Sequence, residues 1–202
     1  MITNKPTWIY KPVHVPNLDK IRKEFQYIHE NFYIDLIPNW IENQLMDHLF
    51  PIEKEHVETY APTYIQFLKD LDLYSRWALT IFSPTAAPYN KKFIVHVDNY
   101  NWETRSYGLN VPVQNCHDSW TVFYKTKKAE GTRGIMPWYP DAPCFLDDEL
   151  DGELDRLPAE QPAFVNVNTP HRPQTEHGLP RLIASSRFYP EIHDFNFDQF
   201  SP

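Results

Sequence analysis

The chain changes its hydrophobic period at Trp77. Before that point apolar side chains recur at helical spacing: Leu18, Ile21, Phe25 and Ile28 share one face, with Asn17 placed as N-cap. Over 51–73 a second helical pattern sets Tyr64, Phe67, Leu68 and Leu71 at i, i+3, i+4 and i+7. These faces are expected to pack on the outside of a sheet. From Trp77 onward the apolar residues come in short runs closed by proline and asparagine. The first is Trp77-Ala78-Leu79-Thr80-Ile81-Phe82, ended by Ser83-Pro84, and further runs follow at 93–98, 107–113, 120–124, 163–168 and 181–188. Helices first and many strands afterwards predict an α+β chain with a mainly β core, a jelly roll or double-stranded β-helix braced by N-terminal helices.

Composition bears this out and narrows what the chain can do. Nineteen prolines against five glycines suit short strands joined by rigid turns and oppose long helices. The 202 residues are read as one domain: helical support over 1–76, a β core over 77–190 with an insertion at 125–161, and a tail at 191–202. With 42% hydrophobic and 23% charged residues the balance is that of an ordinary globular chain. A net charge of −8 disfavours binding to a phosphate backbone, where Lys and Arg contacts dominate affinity. Two cysteines, Cys116 and Cys144, imply no disulfide framework. Residues 1–16 lack a basic stretch followed by an apolar one, and no run has the length of a membrane span. A cytoplasmic location is the expectation.

Chemistry enters in the run Phe93-Ile94-Val95-His96-Val97-Asp98. In a strand, residues i and i+2 point the same way, so His96 and Asp98 aim at one place. His171 follows 75 residues later, at the end of Ala163-Phe164-Val165-Asn166-Val167-Asn168-Thr169-Pro170-His171, and Arg181 follows ten residues after that. Two imidazoles and one carboxylate on one side of a metal leave coordination positions open, as an Fe(II) oxygenase requires. The plain alternative makes His96 a core histidine and Asp98 the start of the polar loop Asp98-Asn99-Tyr100-Asn101.

The order His-x-Asp, long gap, distal His, then about ten residues to an Arg on the last core strand resembles the 2-oxoglutarate and Fe(II)-dependent oxygenase superfamily, whose fold is cupin-like. The likeness covers about residues 77–189. More narrowly, Ser106 to Val113 with the downstream Asn-Thr-Pro-His segment is similar to the aspartyl/asparaginyl hydroxylase-like branch and related small prolyl hydroxylase-like members. The resemblance implies that His96, Asp98 and His171 hold Fe(II), and that 2-oxoglutarate chelates the iron through its keto acid end. It further implies that molecular oxygen is consumed, a C–H bond is hydroxylated, and 2-oxoglutarate leaves as succinate and CO2. The primary substrate it implies is a peptide side chain or a small amino-acid-like metabolite.

The far carboxylate of 2-oxoglutarate needs a planar two-pronged cation in a buried place, which suits Arg better than Lys. Arg181 has the family's spacing, and Arg187 is the competitor, since Ile183, Ser185 and Arg187 share its strand face. Relatives often carry a serine two residues after the arginine; here Ile183 stands there, and Ser185 comes four residues after. Tyr124 is therefore a candidate helper. Asn110, in register with Ser106, Gly108 and Pro112, is a candidate for the cofactor pocket or for satisfying backbone groups.

His177 is an alternative third ligand. His117 is expected in a turn, and His14, His29, His48, His56 and His193 as surface or capping residues. The stretch 125–161 is expected either as a lid with Trp138 and Tyr139 contacting substrate, or as a solvated loop followed by a short acidic helix. It lacks the ligand spacing of an EF-hand, so calcium is not expected there. Two further functions stay open: a cupin-like metalloenzyme that uses no keto acid, and a non-catalytic jelly-roll binding module.

Overall fold

In the computed structural model, residues 8–35, 50–85, 94–98, 107–135 and 142–188 are described. The N-terminal part holds helices α1 (Leu18–Ile28), α2 (Lys54–Tyr60) and α3 (Pro62–Asp70). Helix α1 buries Ile21, Phe25 and Ile28 completely, each worth about 1.5–3 kcal/mol on leaving water. Phe25 meets Tyr64 of α3 and Phe82 edge-on, at 5.0 and 6.3 Å between ring centres. The second helical pattern is broken between Tyr60 and Pro62, because the proline cannot continue α2 and instead opens α3. Tyr64, Phe67, Leu68 and Leu71 are all buried, as their spacing predicts.

Among the described residues eleven strands make two antiparallel sheets. They are β1 (Tyr10–Pro12), β2 (Phe50–Ile52), β3 (Trp77–Thr85), β4 (Val95–His96), β5 (Tyr107–Gln114), β6 (Ser119–Thr126), β7 (Cys144–Phe145), β8 (Leu150–Pro158), β9 (Ala163–Asn166), β10 (His171–Thr175) and β11 (Arg181–Phe188). The six-stranded sheet runs β1-β9-β5-β11-β3-β2 and the five-stranded sheet β7-β4-β10-β6-β8. Strands pair as β3 with β11, β4 with β10, β5 with β9 and β6 with β8, while β11–β5 and β10–β6 pairing completes each sheet.

The period of two then assigns faces. Leu109, Val111, Val113, Leu182, Ala184 and Phe188 join the helices in the main core. Arg22 and Gln26 of α1 also donate to the carbonyls of Pro112 and Val113, at 3.3 and 3.1 Å, tying the helix to β5. The opposite face of the large sheet meets the small one: Phe123 and Leu157 pack with Ala163, Val165 and Val167. The interior between the sheets therefore receives Arg181, Ile183, Ser185 and Arg187. The outer face of the small sheet is covered by Val95, Val97, Val122, Tyr124 and Phe145.

Several expectations are corrected. Strand β3 does not end at Ser83-Pro84 but runs to Thr85, with Pro84 opposite Leu182. Pairing with β2 stops at Phe82, and among the described residues nothing pairs with that side of β3 at Pro84, where a residue without N–H is tolerated. The acidic run does not form a helix. Asp147–Glu149 make one 3-10 turn, and the rest becomes β8, the edge strand of the small sheet. Asn17 does occupy the N-cap, but with φ 58° and without a side-chain cap bond. His29 is buried in a π-helical turn, edge-on to Phe82 at 5.6 Å, and neither ring nitrogen has a partner; burial lowers its pKa. His48, His193, Ser106, Trp138 and Tyr139 lie outside the described residues. Cys116 and Cys144 are both buried and unbridged. Among the described residues no helix is long and apolar enough to cross a membrane.

Candidate metal centre

His96 and His171 face each other directly in the β4–β10 ladder. Asp98 follows two residues after His96, at a bend just past the end of β4, its backbone held by Val97 N–H on the Pro143 carbonyl and Asp98 N–H on the Val167 carbonyl, both at 3.0 Å. A tight turn delivers His171: Asn166 Oδ1 accepts from Asn168 N–H at 3.1 Å, and Thr169 N–H returns to the Asn166 carbonyl. Asn166 is itself anchored to β1 and its approach through the Trp8 and Ile9 carbonyls. The long gap in sequence is thus closed by one rung of one sheet.

Both imidazoles are oriented the same way. His96 Nδ1 donates to the Ile94 carbonyl at 2.9 Å, and His171 Nδ1 to the Thr169 carbonyl at 2.8 Å. A carbonyl only accepts, so each Nδ1 carries the proton and each Nε2 keeps its lone pair. Those lone pairs converge on one oxygen: Asp98 Oδ1 lies 3.2 Å from His96 Nε2 and 3.5 Å from His171 Nε2. Two ligands at right angles about 2.1 Å from a metal stand about 3 Å apart, so these spacings fit neighbouring positions around one ion. The three donors lie within 4.8 Å of one another and form a group that could hold a metal. Burial alone would raise the Asp98 carboxyl, but the Arg187 guanidinium holds it well below the usual carboxylate range. The donor is therefore ionised and ready to bind.

Arg181 is 2% exposed, the largest of the fully buried side chains. It donates to the Trp120 carbonyl at 3.2 Å and to Thr85 Oγ1 at 3.3 Å, while its Nε has no partner. Burial pushes its pKa down to about 10, so it stays charged at neutral pH. Among the described residues no carboxylate pairs with it. Such a cation is costly to bury unless an anion joins it.

The other candidates fall elsewhere. Arg187 is not free for a co-substrate: it is ion-paired to Asp98 Oδ2 and donates to Ser185 Oγ, which donates to Asn110 Oδ1. Asn110 thus supports the carboxylate through two intermediaries. Tyr124 belongs to the outer cluster of the small sheet, where its hydroxyl accepts from Arg172 Nε at 3.0 Å, so it is not placed to help Arg181. His177 stacks on His117 at 4.6 Å between ring centres and bonds the Asn115 carbonyl, away from the three donors. Thr85 is the polar neighbour of Arg181 that the sequence reading missed; its only signal was its place one residue past Ser83-Pro84. Beside the ligand strand, a cleft of about 270 Å³ is lined by Val97, Thr126, Glu130, Arg133, Phe145 and Asn168. Part of the 125–161 stretch therefore lines a cleft on the outer face of the small sheet, which none of the three donors enters.

No family model and no curated protein matches the chain. Among solved structures, AviO1 from Streptomyces viridochromogenes Tue57 superposes with a TM-score of 0.45 at 10% identity, over 90% of this chain and 89% of that one. HygX from Streptomyces hygroscopicus, with nickel and 2-oxoglutarate bound, superposes with a TM-score of 0.42 at 10% identity, over 94% of this chain and 84% of that one.

Proposed function

We propose that this chain is an Fe(II)- and 2-oxoglutarate-dependent oxygenase, built on a double-stranded β-helix, that hydroxylates a C–H bond. The fold reading is supported by the four pairings β3–β11, β4–β10, β5–β9 and β6–β8, which are the rungs of one long hairpin wound into two facing sheets. The functional reading is carried by one observation: a cluster of two imidazoles and a carboxylate shares an interior with a buried arginine that, among the described residues, has no carboxylate partner.

Each side chain has a role. His96, Asp98 and His171 would hold Fe(II), whose bound chemistry is activation of O2 with oxidative decarboxylation of 2-oxoglutarate to succinate and CO2. The carbonyls of Ile94 and Thr169 keep both histidines in the ligating tautomer. Arg181, with Thr85 beside it, would receive the far carboxylate of 2-oxoglutarate. The primary substrate is proposed to be a peptide side chain or an amino-acid-like metabolite.

The test is succinate production from 2-oxoglutarate by the Fe(II)-loaded protein in air. His96→Ala and Asp98→Ala should abolish it while the far-ultraviolet circular dichroism of the folded chain is retained. Wild-type rates from either folded variant would refute the assignment. Metal retention without 2-oxoglutarate turnover would point to the cupin-like metalloenzyme, and no metal binding to a binding module.

A further inference from the structure

The six-stranded sheet reaches across the interior to hold the metal-binding carboxylate of the five-stranded one. Arg187 of β11 pairs through Nη2 with Oδ2 of Asp98, while Oδ1 of the same carboxylate is the atom facing both histidine Nε2 atoms. The two oxygens are thus divided between two tasks. We propose that Arg187 is a positioning residue that commits Asp98 to coordinate through Oδ1 alone, which keeps a further coordination position open for the co-substrate. The proposal rests on the metal assignment above.

Three observations on other residues support it. The guanidinium is oriented from its other side: Nη1 donates to Ser185 Oγ, and Ser185 Oγ donates to Asn110 Oδ1 on the neighbouring strand. A merely charge-neutralising arginine would need no such frame. Gly108 stands opposite Arg187 in the β5–β11 ladder. A Cβ there would collide with Nη1 and lie 3.0 Å from Cζ, so the absence of a side chain makes the space the guanidinium occupies. Finally, the two arginines of β11 are used differently. Arg187 is bound to the ligand carboxylate, and Arg181, six residues earlier on the same face, has only neutral partners among the described residues. The strand carries one arginine for the metal ligand and one for an incoming anion.

The test uses the full chain with Co(II) as probe, reading its dissociation constant by calorimetry and its coordination by visible absorption. Arg187→Met should weaken Co(II) binding by about 10–100-fold, the usual effect of losing a partner of a ligand, and alter the visible spectrum. Arg187→Gln, which keeps a donor but loses the charge, should change both in the same direction and is the variant read if methionine prevents folding. Gly108→Ala should alter the spectrum by displacing the guanidinium. In an Asp98→Asn background, Arg187→Met should change Co(II) affinity by less than about two-fold, because its effect passes through the carboxylate. A folded Arg187 variant with unchanged spectrum and affinity would overturn the proposal, as would an equal effect in the Asp98→Asn background. If wild type itself binds no Co(II), the underlying metal assignment fails as well; if wild type binds and the variants do not differ from it, only the role of Arg187 fails.

Discussion

His171 lies directly across the β4–β10 ladder from His96, and both rings are turned by the carbonyl two residues earlier in the chain, just before each strand. The two histidines reach the same geometry from opposite directions of the chain. Losing either removes a ligand outright, so His171→Ala should weaken Mn(II) or Co(II) binding by more than the ~10–100-fold that outer partners cost. Equilibrium dialysis on the folded variant checks this; affinity within that range would assign His171 a supporting role only.

Among the described residues no carboxylate pairs with the buried Arg181. Arg181→Met should therefore act in two directions. The metal- and ligand-free protein should become more stable by about 1–2 kcal/mol, since an unmatched buried charge is replaced by an apolar side chain of similar length. Binding of 2-oxoglutarate in the presence of Mn(II) should weaken about 30-fold or more. Thermal unfolding and calorimetry read the two effects. Unchanged 2-oxoglutarate affinity would remove Arg181 from the proposed site.

Asp98 sets an acid limit on the metal-free fold. Its folded pKa lies below the unfolded value, so the ion pair with Arg187 contributes stability that is fully present above about pH 4. That contribution is lost as pH falls through the folded value. Asp98→Asn, which leaves Arg187 without its carboxylate, should be less stable than wild type at pH 7, and the gap should narrow below about pH 4. Urea unfolding at a series of pH values tests the sign; a gap that stays constant down to pH 3 would contradict it.

A separate polar chain belongs to the fold and not to the site. Tyr64 of α3 and Ser186 Oγ lie 2.5 Å apart, Ser186 Oγ meets Thr80 Oγ1 at 2.5 Å, and Trp77 Nε1 donates to Thr80 at 2.9 Å. Tyr64→Phe should cost about 1–2 kcal/mol of stability by breaking a fully buried bond, and leave metal affinity unchanged. A shift in metal affinity would show that α3 reaches the centre through β11.

The parts of the fold that could be read from the sequence are the strands whose apolar runs are buried, often on both faces. Strands β5, β6, β9 and β11 announce themselves because their apolar residues line the core. Strand β8 does not, since it is an edge whose residues Asp151 to Arg156 are exposed on both faces, leaving no alternation to see. Strands β1, β2 and β7 are two or three residues long and exist only through pairing with distant partners. The three donor residues were readable because i, i+2 geometry is local, and the distal histidine because a strand run leads into it. The division between Arg181 and Arg187 was not. Both point into the interior from β11, and which one meets Asp98 depends on how β4 of the other sheet crosses above them. His29 escaped for a similar reason: nothing in its neighbours in sequence tells that Phe82 of β3 covers it.

The central claim is that one iron site here binds 2-oxoglutarate, and absorbance under strictly anaerobic conditions tests it most directly. Adding Fe(II) and then 2-oxoglutarate to the purified protein should produce a weak visible charge-transfer band that neither gives alone and that His171→Ala lacks. A protein that stays colourless with both present, or that develops the same band without His171, would contradict the account.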